Sequence, residues 1–377
     1  MRRAEVMAHR IHVQQLDRPA GEREVTDAAV LDFGIQDTGR DGASWALANR
    51  GVPVSGPSEL EASPELALAW TLRSSPHYYR RSELVDVLTA TSPLSEADAN
   101  KRVFGAGAPL AAAGVGVREG LAVVATELRA VVREPMVKGE VSSQLTQRLP
   151  EPYLRNCVPC GSVHVFEIPF RIGALYAGLE LEPGTSPPVL RRIPGWPGRE
   201  PGPAADPLTA PVDLQPIRNY LRFLGPATPK DVAAFLDAPV ADVKTHWPAE
   251  AVEVEVDGRK AWCLPGQSEA PEPETEPEVV RLLGGFDLFL QGRDRSLIVP
   301  DESRHKTVWP TLGRPGAVLA GDEIVGVWRP KAAGRKFTLR LDLWAPVSKA
   351  VRRAIEAEAE RLAAHRGLTL TQLEAPT

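Results

Sequence analysis

Disulfide chemistry, a membrane span and a secretory leader all lack support in this sequence of 377 residues. Three cysteines cannot build a disulfide framework. No apolar run approaches the ~18–20 residues that a membrane helix needs. The opening stretch, MRRAEVMAHRIHVQQLD, is charged and has no apolar h-region, so it does not read as a signal peptide. There is no G-x-S-x-G elbow, no Walker-type phosphate loop and no dinucleotide fingerprint. Phe104–Val117 is rich in Gly and Ala but lacks the G-x-G-x-x-G spacing, and reads as a loop. Hydrolases built on a serine elbow, P-loop enzymes and nicotinamide dehydrogenases are thereby set aside. A cytoplasmic protein with no membrane contact is expected.

What the chain does contain is prolines (36), glycines (31) and an uneven charge. The net charge is −5. Arg281–Arg366 nevertheless holds sixteen Lys+Arg against ten Asp+Glu, a surplus of six, so the remainder carries −11. An acidic whole does not exclude a local basic face. Two stretches read as surface spacers: the Pro/Gly-rich Ile193–Asp213, and Pro265–Glu278 with its five glutamates.

Between the spacers the pattern is clearest. Thr228-Pro229 is a hydroxyl cap followed by a first-turn proline, opening a short helix through PKDVAAFLD. VADVKTHW gives a second helix, and VEVEVDGRKAWCL gives two strands around the Asp257-Gly258 turn. Helix, turn, helix, hairpin is a winged-helix order; a packing module that touches no DNA has the same order. A similar order recurs upstream. Thr26 opens a helical reading through AAVLDFGIQD, DGASWALANRG gives a helix ending at Gly51, and LALAWTLRSSPHYYR is strand-like around a Ser-Ser-Pro turn. SELVDVL and SEADANKRV then read as helices, as do REGLAVVATELRAVV and GEVSSQLTQRL, while VHVFEIPFRIGALYAGLEL is strand-rich or mixed. The C-terminal piece reads as a small antiparallel sheet or barrel closed by a long amphipathic helix stopping at Gly367. The expected fold class is α+β, with tandem winged-helix domains at 1–118, 119–211 and 212–264. An acidic Pro-rich linker at 265–278 and a β-barrel-like C-terminal domain with a terminal helix at 279–377 complete it.

Candidate chemistry is sparse. Cys157, Cys160 and His164 form C-x2-C-x3-H, which offers three zinc ligands. No second cysteine pair completes a ribbon, and buried thiols are common packing residues, so no metal and no cofactor is expected. Gln36-Asp37 follows an apolar stretch and precedes a turn-rich segment. Such a pair can orient water and stabilise a developing cation, or simply end one element and cap the next. Basic clusters recur around Arg73 and His77, around Arg293, and at the hairpin tip containing Arg329, Arg335 and Lys336. With Lys230 of the middle helix, these are the candidate DNA-phosphate contacts. Each cluster taken singly also reads as a solvated face.

The order of these pieces, together with DFGIQDTG, WTLRSSPH, CVPCGSVHVFE and GFDLFLQGRDRSLIVPD, resembles the winged-helix DNA glycosylases of the AlkZ type. The resemblance implies a concave surface for double-stranded DNA, alkylated or crosslinked, a monomer, and hydrolysis of the N-glycosidic bond of a modified purine without a metal. The family signature is glutamine, an apolar residue, then glutamine or aspartate. Laid on this sequence it puts Gly34 at the first glutamine, Ile35 in the middle and Gln36 at the end, with Asp37 as a possible compensating group. Gln36 and Asp37 are therefore the implied catalytic residues. Two other readings remain at this point: a DNA-binding or regulatory protein that has lost the first glutamine, and a packing scaffold.

Overall fold

The computed structural model describes residues 1–19, 21, 23–267 and 279–374, the side chain of residue 333 excepted. The fold is mixed α+β. The acidic half of the second spacer, from 268, lies outside the described residues.

Helix α1 (Arg3–Val13) leads into two 3-10 turns, Val25–Asp27 and Ala29–Asp32, and a two-residue strand β1 (Ile35–Gln36). The helix expected from Thr26 is therefore absent. Gly34, at φ +82, breaks the helical path between the turns and the strand. Helices α2 (Gly42–Ala48) and α3 (Pro57–Ala62) precede the hairpin β2 (Leu66–Trp70) and β3 (Pro76–Arg80). Helices α4 (Leu84–Thr91), α5 (Glu96–Arg102), α6 (Gly107–Ala112) and α7 (Val117–Val131) follow. Part of the Gly/Ala-rich stretch read as loop is thus helical, because Gly107 and Leu110 are buried within α6.

Next come β4 (Met136–Val137), α8 (Lys138–Arg148), the hairpin β5 (Leu154–Cys157) and β6 (Ser162–Val165), α9 (Glu167–Tyr176), β7 (Leu179–Leu181) and β8 (Val189–Arg192). One sheet, in the order β1-β3-β2-β7-β8-β4, crosses the boundary expected at 118/119. A single apolar core continues from Ala28 to Val243, so the first three expected units share their interior. The first spacer is also more than a surface strand. Ala204 and Ala210 are buried in that core, and the Ala204 amide donates to Ser92 Oγ at 2.9 Å.

The middle piece follows the sequence closely: α10 (Pro216–Leu224), α11 (Pro229–Leu236), α12 (Val240–Thr245), then the hairpin β9 (Val252–Val256) and β10 (Arg259–Cys263). The Thr228 hydroxyl accepts from the Asp231 amide at 3.2 Å, and the Asp231 carboxylate accepts from the Thr228 amide at 2.9 Å. This reciprocal cap satisfies two otherwise unpaired amides. Asp257 and Gly258, at φ +45 and +81, make the two-residue turn.

The last piece contains β11 (Val280–Leu283), the short helices α13 (Arg295–Ile298) and α14 (His305–Val308), β12 (Gly316–Ala320), β13 (Glu323–Ala333), β14 (Lys336–Leu343), α15 (Lys349–His365) and β15 (Thr369–Glu374). The sheet runs β11-β12-β13-β14-β15. Its last pair, β14 with β15, is parallel, not antiparallel, because α15 carries the chain back between the two strands. Ile355, Ala359, Leu362 and Ala363 of α15 pack on Leu282, Val318 and Leu339 of this sheet. Met7 and Ile11 of α1 join the C-terminal core instead of the N-terminal one, against Leu283, Phe289 and Val327. Among the described residues no single helix is long and apolar enough to cross a membrane.

Candidate active site

Gln36 ends β1, the edge strand of the larger sheet, opposite His77 of β3. Successive strand residues point to opposite faces, and this alternation separates the two residues singled out in sequence. The Gln36 carbonyl oxygen accepts from Arg73 Nη2 at 3.1 Å, and its amide Nε2 donates to Thr38 Oγ1 at 3.0 Å. Asp37 turns the other way. Its Oδ1 accepts from the Ala43 amide at 3.0 Å and so anchors the first turn of α2. Burial, aided by Glu61 and Asp41, raises its pKa against that hydrogen bond. Gln36 and Asp37 are adjacent in sequence but are not brought together as a pair.

Gly34 lies on the same cleft wall, with Ile35, Gln36, Arg73, His77, Phe235, Phe286 and Gln291 around it. A β-carbon at Gly34 would overlap the ring of Tyr79. The ring cannot swing away freely, because it is buried and its hydroxyl is hydrogen-bonded to Thr71 Oγ1 at 2.8 Å.

Arg73 is aimed by an unusual loop. It and Ser74 both have φ +54. Left-handed backbone at residues other than glycine costs about 1–2 kcal/mol each, and such conformations persist where the surroundings over-determine them. Here the Ser74 amide donates to the Thr71 carbonyl at 2.9 Å and the Ser75 amide to the Leu72 carbonyl at 3.2 Å. The Arg73 guanidinium then lies 4.2 Å from the centre of the Phe235 ring. Burial lowers the Arg73 pKa to about 10, with Arg293 and Arg314 contributing repulsion, so it remains charged at neutral pH. Burial, with Arg73 beside it, pushes His77 down to about 3. His77 is therefore neutral. Its Nδ1 donates to the Ser75 carbonyl at 2.9 Å, which leaves Nε2 as an acceptor.

Beside this cleft sits a group of arginines without anionic partners among the described residues. Arg293, Arg295 and Arg314 form no salt bridge among the described residues. Arg295 lies over Trp309 at 5.0 Å and Arg314 over Phe286 at 4.9 Å. Burial and mutual repulsion lower the pKa of Arg295 and of Arg314. The side-chain Nε of Arg293 is buried and unpaired. Asp294 sits between Arg293 and Arg295 in the chain but does not compensate them. Its carboxylate is taken by the buried Arg10, with Nη2 to Oδ2 at 2.5 Å.

The other basic candidates lie apart from this group. Lys230 is exposed on the first turn of α11, whereas Phe235 from the same helix lines the cleft. Arg329, Arg335 and Lys336 are exposed on the β13–β14 hairpin, and Arg329 donates to the Gly313 carbonyl at 2.8 Å. Three residues important to the site escaped the sequence reading: Thr38, Arg314 and Arg50. Arg50 is fully buried and pairs bidentately with Asp287 at 2.8 and 2.9 Å, tying α2 to the C-terminal piece beneath the cleft. A basic residue in the apolar run ALANRG was the only cue. The one group with metal-ligand character among the described residues, Cys157, Cys160 and His164, lies on the β5–β6 hairpin and lines no part of this cleft.

No curated protein matches the chain. Among solved structures, it superimposes on the DNA glycosylase AlkZ of Streptomyces sahachiroi with a TM-score of 0.72, over 99% of each chain at 21% identity, a likeness of fold. The sequence model of the AlkZ-like DNA glycosylases matches residues 33–365, from just before the Gln36 strand to the end of α15. The chain belongs to the AlkZ-like DNA glycosylase family.

Proposed function

We propose that this protein hydrolyses the N-glycosidic bond of alkylated or crosslinked purines in double-stranded DNA, with Gln36 and Thr38 holding the attacking water. The observation that carries the reading is Gln36 clasped between Arg73 and Thr38, beside guanidinium groups that have no anionic partner among the described residues. An N-alkylated purine leaves readily because it already carries positive charge. The protein must chiefly position water against the sugar and stabilise a cationic transition state. Gln36 has one lone pair of its carbonyl committed to Arg73 and one amide proton committed to Thr38, so its orientation is set before DNA arrives. The remaining lone pair accepts from water, the water oxygen attacks the anomeric carbon, the bond electrons leave with the purine, and the water proton passes to solvent.

The spacing of two polar residues around one intervening residue is then met by Gln36 and Thr38, with Asp37 between them directed at α2. In this reading Gly34 is a backbone device and not a vacated glutamine. Asp37 acts on the site through the helix it anchors. Arg73, Arg293, Arg295 and Arg314 bind phosphates, and the exposed Lys230, Arg329, Arg335 and Lys336 give outer contacts on a longer duplex. The three helix–helix–hairpin segments are read as tandem winged helices, and the C-terminal sheet as the small β-domain completing a monomeric DNA cradle in the cytoplasm.

Single-turnover release of an N7-alkylated purine from duplex DNA tests this reading. Gln36→Ala should lower the rate by about 10²–10³-fold, the scale for one preorganised polar group, while DNA affinity stays near wild type. Equal rates in the two proteins would remove Gln36 from the chemistry. Tight DNA binding with no base release by wild type on any alkylated substrate would return the protein to the non-catalytic class.

A further inference from the structure

The hairpin β5–β6 carries the C-x2-C-x3-H pattern at its tip. Its register pairs Cys157 with Ser162 and Arg155 with His164, so Cys157 and His164 project from the same face as diagonal neighbours. A 3-10 turn, Val158–Cys160, followed by Gly161 at φ +61, folds Cys160 back over that face. The two sulfurs and a His164 ring nitrogen all lie within 4.8 Å of one another. From these three groups we infer that the hairpin tip binds one zinc ion through Cys157, Cys160 and His164.

Zn–S bonds of about 2.3 Å and Zn–N bonds of about 2.0–2.1 Å give tetrahedral ligand edges of roughly 3.4–3.8 Å. The set has to contract by at most about an ångström, and an exposed turn can do so. Two further features match a metal site. His164 Nδ1 donates to the Val165 carbonyl at 2.7 Å, which fixes the tautomer and leaves Nε2 for the ion. The Cys160 backbone amide hydrogen-bonds to the Cys157 sulfur, as suits a thiolate. Two thiolates and an imidazole suit zinc among the common divalent ions. Glu167 does not complete the set, because Lys138 at 2.8 Å and Arg171 at 2.6 Å occupy its carboxylate. The fourth position therefore belongs to solvent on the side of the exposed Cys160. The role is structural. Val158 is 86% exposed and Val163 54% exposed, so the tip has little apolar burial of its own, and the ion supplies a fixed point. The inference is independent of the glycosylase reading.

The test is zinc content by elemental analysis of full-length protein refolded or purified with zinc under reducing conditions, then freed of loose metal. One zinc per chain is expected in wild type and in Cys263→Ser, whose thiol lies elsewhere. Cys160→Ser and His164→Ala should each lose most of it. Cys160 is exposed, so its substitution leaves the fold intact, and circular dichroism checks this. Cobalt in place of zinc should give a thiolate-to-metal charge-transfer band in wild type and not in Cys160→Ser. The inference is overturned if wild type holds no zinc, if Cys160→Ser and His164→Ala retain it, or if thiol labelling finds a Cys157–Cys160 disulfide that resists metal.

Discussion

Gly34→Gln restores a side chain that the family signature would put there, yet it should weaken the protein. Gly34 has φ +82, where any residue other than glycine pays about 1–2 kcal/mol. The new β-carbon also meets the buried Tyr79 ring, which Thr71 holds in place. Forcing atoms into a packed interior costs about 1–3 kcal/mol. Together the two effects give a loss of about 2–5 kcal/mol. With an unfolding entropy of about 0.8 kcal/mol/K for a chain of this length, the thermal midpoint should fall by about 3–6 °C. Gly34→Ala should lose nearly as much, because the backbone and the β-carbon carry the cost, not the amide. Differential scanning calorimetry of wild type, Gly34→Ala and Gly34→Gln measures this, alongside single-turnover base release. Base release should fall in both variants, since Gly34 immediately precedes the strand that ends in Gln36. A Gly34→Gln protein with an unchanged midpoint and a faster base release would refute the argument and restore the reading of Gly34 as a lost catalytic glutamine.

Other outcomes follow from the same geometry. Arg293→Ala and Arg314→Ala should each weaken duplex DNA binding and reduce the slope of log affinity against log salt by about one, if each meets one phosphate; titrations at several ionic strengths check this, and an unchanged slope would exclude them from the interface. His77 stays neutral in the fold down to about pH 3, whereas an unfolded histidine protonates near pH 6.5. The unfolded chain therefore takes up the proton first, and the stability associated with a neutral His77 is complete above about pH 6.5 and is lost as pH falls towards 3. Urea unfolding of wild type and His77→Gln across that window should show a flatter pH dependence in the variant. Arg50→Ala leaves the buried Asp287 carboxylate without its cation and should cost about 3–5 kcal/mol; Arg50→Met with Asp287→Leu should cost less, and equal losses in the two proteins would contradict a charge-pair origin.

Local signals were readable in advance and non-local ones were not. The Thr228 cap and the Asp257-Gly258 turn depend on contacts a few residues apart, and both occur where the pattern indicated. Gln36 was equally visible, but its working neighbour was not. The sequence shows Gln36 beside Asp37, while the strand pleat gives it Thr38 and the strained loop gives it Arg73. Strand β15 was invisible because six residues after a helix stop carry no pairing information until β14 is there to receive them.

The charge pattern makes the same point most sharply. Read along the chain, Arg293-Asp294-Arg295 is a nearly compensated surface cluster with one surplus cation. In the fold, Arg10 arrives from α1 and removes Asp294 from that balance. Arg73 and Arg314 arrive from distant segments and bring two further cations close enough to repel the first pair. Gathering like charges with no anionic partner among the described residues costs free energy, and the rings of Trp309, Phe286 and Phe235 offset part of it. A polyanion beside these groups would reverse the sign of that repulsion. The unpaired guanidinium groups of this acidic protein are thus a product of tertiary pairing: the fold directs Asp294 to a buried arginine and leaves Arg293 and Arg295 without a carboxylate partner among the described residues.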